Sequence, residues 1–245
     1  MAFYREADTK LSHTTSCYSC NLYSKVHSPK LEAYGNGKNG ILLILPPPSE
    51  EEDRFGLCGM GEKNAWLKQQ LASIDIVWED CTIVNVIGCH TNNLKGSQNV
   101  CCLNRLERIV KQVKPRLVIA FGNSTLQSTV GQEWTRNLGD IIKWHGFVIP
   151  KLDWNCWLVH TFYTDDIVYN ENYWRNQNWS KASGTFEKAR AVERSGAYKM
   201  YLRAMKEDIR KAYKKSFEPL PVRPEEVSPV SVLSEDEAVV WMESA

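Results

Sequence analysis

The chain has 245 residues, 43% of them hydrophobic and 24% charged, with a formal net charge of +1, enough for one buried α/β core plus extensions and with no second domain forced. Its opening residues carry charges where a signal peptide needs an apolar run, and no later stretch approaches membrane-spanning length; the expectation is a protein of a reducing cytoplasm with no membrane partner. Eight cysteines in such a compartment point to metal ligands or small buried hydrophobes rather than to disulfides.

Four short apolar runs, at residues 41–45, 82–87, 117–121 and 156–160, are predicted as buried strands, each bounded by breakers. A helix through Ala65, Leu67 and Leu71 separates the first two. Leu103, Leu106, Ile109, Val110 and Val113 recur at helical spacing before Lys114-Pro115 stops the second helix. Alternating strand and helix predicts a three-layer α/β sandwich around a mostly parallel sheet of about four strands. Residues 143–149 read as a small antiparallel excursion around Gly146 before the last core strand. An Asn- and aromatic-rich loop, 169–179, leads to a long C-terminal helix over about 185–215, with Val192, Tyr198, Tyr201, Leu202, Met205, Ile209 and Tyr213 as its apolar face.

Ligands of open α/β sheets bind beyond the carboxyl ends of the strands. Those ends deliver Pro46-Pro47-Pro48-Ser49, then Asn85 to Cys89, then Gly122-Asn123-Ser124, then His160-Thr161-Phe162-Tyr163. Cys17-Tyr-Ser-Cys20 alone is a weak motif. Cys89 closes a strand and Cys102 opens the next helix, so both lie at one end of the sheet. A folded-back N-terminal segment then completes a shell of four thiolates, suited to zinc or to an iron–sulfur cluster. Cys58, Cys81 and Cys156 read as buried small hydrophobes.

In these residues the chain resembles the family-4, iron–sulfur branch of the uracil-DNA glycosylase superfamily over roughly residues 16–164. The shared pattern is an N-terminal C-x-x-C, a strand ending Asn85-Val-Ile-Gly-Cys89, and Cys102 ahead of Pro115-Arg-Leu-Val-Ile-Ala-Phe-Gly122. Cys101 is the adjacent competitor, but the spacing from Cys102 to Leu106 and Pro115 fits the family better. The resemblance implies a uracil-DNA glycosylase-like fold and a structural [4Fe–4S] cluster on Cys17, Cys20, Cys89 and Cys102, with zinc the alternative. It also implies a base-reading role for Asn85, whose amide offers a donor and an acceptor, and places His160 on the family histidine that stabilises the departing base anion.

Two motifs depart from the family. Pro46 occupies the place of the water-activating Glu within Pro46-Pro47-Pro48-Ser49-Glu-Glu-Glu-Asp53, so general-base help falls to Asp53, Glu50 or a residue outside the motif. Gly59 takes the place of the Phe that stacks on the base, leaving the pocket wider or filled from elsewhere. Phe162 or Tyr163 is the candidate wedge, with Tyr173, Trp174 and Trp179 as stacking platforms beside Arg175. The expected function is hydrolysis of the N-glycosidic bond of uracil or a modified pyrimidine in DNA. The alternative is a catalytically degenerate iron–sulfur DNA-binding accessory protein of replication or repair.

Charge divides the C-terminal part. Residues 186–215 carry ten Lys or Arg against four acids, whereas 218–245 carry seven acids against Arg223 alone. The basic helix suits phosphates, and the acidic, Pro-rich tail suits a replication or repair protein partner or simple solubility. The expected organisation is a glycosylase-like domain over 1–183, a basic helix over 184–216 and a tail over 217–245.

Overall fold

The computed structural model describes residues 17–131, 138–168 and 196–222. In chain order, α1 (Cys17–Cys20) precedes β1 (Ile41–Leu45), α2 (Glu50–Phe55), α3 (Glu62–Ala72), β2 (Thr82–Asn85) and α4 (Gly96–Val113). Then come β3 (Leu117–Phe121), α5 (Asn123–Thr129), α6 (Ile141–Trp144), β4 (Val148–Lys151), β5 (Cys156–Thr161), α7 (Thr164–Val168) and α8 (Gly196–Lys215).

The strands form one sheet in the order β2-β1-β3-β5-β4. The first four are parallel, and β4 runs antiparallel to β5. The sheet therefore has five strands where about four were expected. The addition is the return leg of the excursion around Gly146, which pairs with β5 instead of remaining a loop. Every residue of β1, β2, β3 and β5 is buried, as a parallel sheet covered on both faces requires. Each fully buried Leu or Ile contributes roughly 1.5–3 kcal/mol over leaving it in water.

Local chemistry sets the connections. Ser49 caps α2 and shares a capping box with Glu52, and Gly56 ends that helix at φ 68°. Lys114 closes α4 in the left-handed conformation, one residue before Pro115 begins the approach to β3. Met205, Ile209 and Ala212 are buried along one face of α8 and seat it on β5, where Thr161 Oγ1 donates to Asp208 Oδ2 at 2.8 Å and Trp157 Nε1 to the Glu218 carbonyl at 3.0 Å. Trp157 and Thr161 thus face α8, and the intervening His160 faces α5. Residues 185–195 of the expected helix and the tail beyond Val222 lie outside the described residues. Among the described residues no helix is long and apolar enough to cross a membrane.

Candidate functional site

The chain leaves β1 for β2 on one side and returns to β3 on the other, so the carboxyl ends of β1 and β3 form the topological switch point at which open α/β sheets take ligands. Pro46 follows β1 there and Gly122 follows β3. Gly122 has φ 76°, and a Cβ on it would lie 3.2 Å from Tyr163 Cβ, 3.5 Å from Asp166 Oδ2 and 3.8 Å from Pro46 Cγ. Three segments distant in sequence meet at this one glycine. His90 Nδ1 lies 2.6 Å from the Pro48 carbonyl and ties the proline run to the segment beyond β2.

Asn85 ends β2 beside Pro46. Its Nδ2 donates to the Pro46 carbonyl at 3.0 Å and to Glu52 Oε1 at 3.1 Å. With the amide reversed, its oxygen would face two other acceptors, so the nitrogen belongs where it stands. Oδ1 is buried without a partner among the described residues, an acceptor held ready near the switch point. Glu52, 1% exposed, also accepts the N–H groups of Ser49 at 2.8 Å and Gly59 at 2.7 Å. Burial raises its pKa, opposed by those hydrogen bonds and by Asn85. The sequence reading missed Glu52, although the Ser49-x-x-Glu52 spacing of a capping box is the signal that turns it inward.

Asp53, the carboxylate singled out from sequence, points elsewhere: its oxygens accept the N–H groups of His27 at 3.0 Å and Ser28 at 2.8 Å. It clamps the N-terminal segment, and the carboxylate that reaches Asn85 is its neighbour. Gly59 does not open a wider pocket on its Cβ side, because a Cβ there would lie 2.8 Å from Trp78 Cζ2; Trp78 fills that space.

The surroundings of His160 are closed. The strand runs on through Thr161, and His160 is fully buried within it. Its Nε2 lies 2.6 Å from Thr129 Oγ1, whose own proton goes to the Thr125 carbonyl at 2.8 Å. Nε2 therefore carries the ring proton, and Nδ1 is buried without a partner among the described residues. Burial pushes the ring's pKa down to about 3, which keeps the imidazole neutral with no second proton for a departing base. The candidate wedges are equally enclosed. Phe162 packs between His145 and Tyr201, with ring centroids 4.7 and 4.9 Å away, and the Tyr163 hydroxyl donates to Asn64 Oδ1 at 2.9 Å. Neither side chain is free to enter a duplex. Tyr173, Trp174, Arg175 and Trp179 lie outside the described residues.

The cysteines from the two ends of the fold converge. The helical turn α1 packs against α4, bringing Cys17 and Cys20 toward Cys89 and Cys102. Burial raises the pKa of Cys89, where the Lys30 N–H bond opposes it and the charges of Cys17 and Cys20 add to it. Burial likewise pushes Cys102 up to about 11, against the Gly88 N–H and Arg105, with Cys20 and Cys89 adding. Cys101 also approaches this group, through Cys20 and Cys17, but Cys102 is the one coupled to Cys89. Among the described residues no group of three or more His, Cys, Asp or Glu side chains is assembled to hold a metal ion. The Lys30 N–H reaches Cys89 Sγ at 3.5 Å, and a backbone donor to sulfur favours the thiolate form that metals bind, although burial outweighs it and the net shift at Cys89 is upward.

Arg105, unforeseen from sequence, joins the cysteines to Asn85. Its Nη1 donates to the Asn85 carbonyl at 3.1 Å and its Nη2 to the Leu31 carbonyl. Its Nε is buried without a partner among the described residues, and its charge faces Cys102, Cys58, Glu32 and Cys89. A guanidinium does not deprotonate, so its burial is costly unless negative charge comes near.

A mostly parallel sheet with Pro46, Gly122 and Asp166 together at its switch point describes a class, and comparison with known proteins defines it. The family model described as the uracil DNA glycosylase superfamily matches residues 33–193, and the chain belongs to that superfamily. It is 28% identical over 115 residues to the type-4 uracil-DNA glycosylase of Archaeoglobus fulgidus, a match covering 46% of this chain and 57% of that protein. The chain thus spans just over half the length of this curated relative, which lies in the branch that the cysteine pattern resembles.

Proposed function

We propose that the protein is a DNA glycosylase that hydrolyses the bond between deoxyribose and uracil or a modified pyrimidine, within the cytoplasm, by a reaction without a lyase step. The observation that carries this is Asn85, whose buried Oδ1 faces no donor among the described residues while Glu52 and Pro46 fix the rest of its amide. An extruded pyrimidine with an imino N–H satisfies that acceptor. The proline run and Ser49 form the rim under which the base enters. Cys17, Cys20, Cys89 and Cys102 would hold a [4Fe–4S] cluster, with zinc the alternative, whose work is structural: it pins the N-terminal segment against α4 and sets negative charge beside Arg105.

The test is a panel of oligonucleotides bearing uracil and modified pyrimidines, single- and double-stranded, with strand breakage read after alkali. Alkali-labile sites at uracil or one of its relatives, absent from unmodified DNA, are the expected result. A protein that leaves every base in place is not a glycosylase.

A second reading is supported by Pro46 at the place of the family's carboxylate and by the sealed imidazole of His160. Here the chain keeps the fold and recognises DNA without cutting it, with the exposed cations of α8 on phosphates and the acidic tail on a replication or repair protein. Binding that weakens steeply with salt, and weakens further on charge reversal at Lys206, Arg210 and Lys214, together with a silent panel, identifies this case.

A further inference from the structure

Hydrolysis of a glycosidic bond needs a group that takes a proton from water at the sugar, and Pro46 cannot do so. The three carboxylates nearest it in sequence are committed otherwise or unsuitable by position. Glu52 is spent on Asn85, Ser49 and Gly59. Glu51 Oε2 accepts the Glu62 N–H at 3.2 Å, and Glu50 lies exposed at the start of α2.

Another carboxylate reaches the same place from the far side of the sheet. Asp166, in the first turn of α7, has Oδ2 3.5 Å from where a Cβ of Gly122 would stand, and the Pro46 ring is 3.8 Å from that same point. Pro46, Asp166 and Tyr163 therefore all lie within 3.8 Å of one point at the switch point, beside a glycine whose missing side chain leaves only that point clear. Asn85 bonds the Pro46 carbonyl from the opposite flank, so base-reading amide, proline, glycine and carboxylate follow one another along the strand ends β2, β1, β3 and β5.

We infer that Asp166 is the general base of this glycosylase, supplying from beyond β5 the carboxylate that its first strand end lacks. This rests on the glycosylase reading given above. Asp166 is half-buried. Oδ2 accepts the Tyr163 N–H at 2.8 Å, which fixes the side chain, and Oδ1 has no partner among the described residues. Burial raises the carboxyl's pKa to about 6, against the Tyr163 hydrogen bond and with the Asp165 charge adding. Asp165 is itself paired to Lys63 of α3 at 2.5 Å, and Pro46 and Gly122 bring no charge. A carboxylate so placed is ionised at neutral pH and more basic than an exposed one. In the step assigned to it, the bond from C1′ to the base nitrogen breaks and its electron pair leaves with the base. Water oxygen bonds to C1′, and one water proton passes to Asp166 and then, through solvent, to the base.

Asp166→Asn separates this role from a structural one, because the amide oxygen still accepts the Tyr163 N–H. On an oligonucleotide that the wild-type protein cuts, kcat is expected to fall by about a hundredfold or more, the range for loss of a positioned base, with KM changed less than about twofold. The wild-type rate should rise with pH to a plateau above about pH 6, and the variant should lack that limb. The wild-type profile needs no variant to fold, and a rate flat from pH 5 to 7 overturns the assignment. So does an Asn variant, unfolding at the wild-type temperature, that cuts at the wild-type rate. A wild-type protein inactive on every base removes the glycosylase reading and this one with it, whereas an active protein indifferent to Asp166→Asn removes this one alone.

Discussion

Asn85→Ala is expected to slow base removal by about two orders of magnitude or more, equivalent to roughly 3 kcal/mol of lost recognition. Two effects combine. The variant loses the acceptor Oδ1 that meets the extruded base. It also strips Glu52, 1% exposed, of one of its donors, and a buried carboxylate short of a hydrogen bond costs about 1–3 kcal/mol of stability. The two parts separate by experiment. Urea unfolding reports the second, and excision at a temperature where both proteins are folded reports the first. Affinity for undamaged DNA, which uses phosphate contacts and not Asn85, should stay within about twofold. An Asn85→Ala protein that excises at the wild-type rate would mean that the base is read elsewhere.

Cys89→Ala carries the other large expected effect, on metal content and fold together. Cys89 accepts the Lys30 N–H at 3.5 Å and lies near Cys17 and Cys20, so its loss weakens the hold on the N-terminal segment, which the Leu31 N–H bond to the Gly88 carbonyl also secures. It also removes one of the sulfurs facing Arg105, leaving a buried cation with less to offset it. Anaerobically purified wild-type protein should be brown, with about four irons and four sulfides per chain. The variant should be pale, lower in iron, and more readily cut by protease near residues 17–30. Arg105→Met adds a control: metal should be retained while Asn85, whose carbonyl accepts from Nη1 at 3.1 Å, loses its support. A colourless wild-type protein containing zinc would replace the cluster by a single ion, and one with neither metal would leave the cysteines without a shared ligand.

The architecture was legible because it rests on local patterns. The runs at 41–45 and 117–121 are β1 and β3 residue for residue, and apolar runs between breakers have few other ways to be buried. For the cysteines the reading was looser: β2 ends at Asn85, four residues before Cys89, and α4 begins at Gly96, six residues before Cys102. The surroundings of His160 were not legible. The last core strand was expected to end at His160, and it includes Thr161; alternation along the strand puts the His160 ring on the α5 face, against Thr129.

The remaining site residues depend on contacts that sequence distance hides. Asp166 and Pro46 come close to the same point beside Gly122, whose φ is positive, and Arg105 reaches the Asn85 carbonyl from α4. Proline at position 46 was visible as a loss; its replacement from 120 residues further along was not, because no spacing rule connects the end of one strand to the helix after another.

The most direct measurement is the fate of the base itself. A uracil-bearing oligonucleotide is incubated with the protein in oxygen-18 water, and both the released base and the cut sugar are weighed by mass spectrometry. One free base for each abasic sugar, with the heavy oxygen on C1′ and no strand scission before alkali, is the outcome expected of hydrolysis at this crevice. Oligonucleotide bound by the protein yet recovered with every base attached would contradict it.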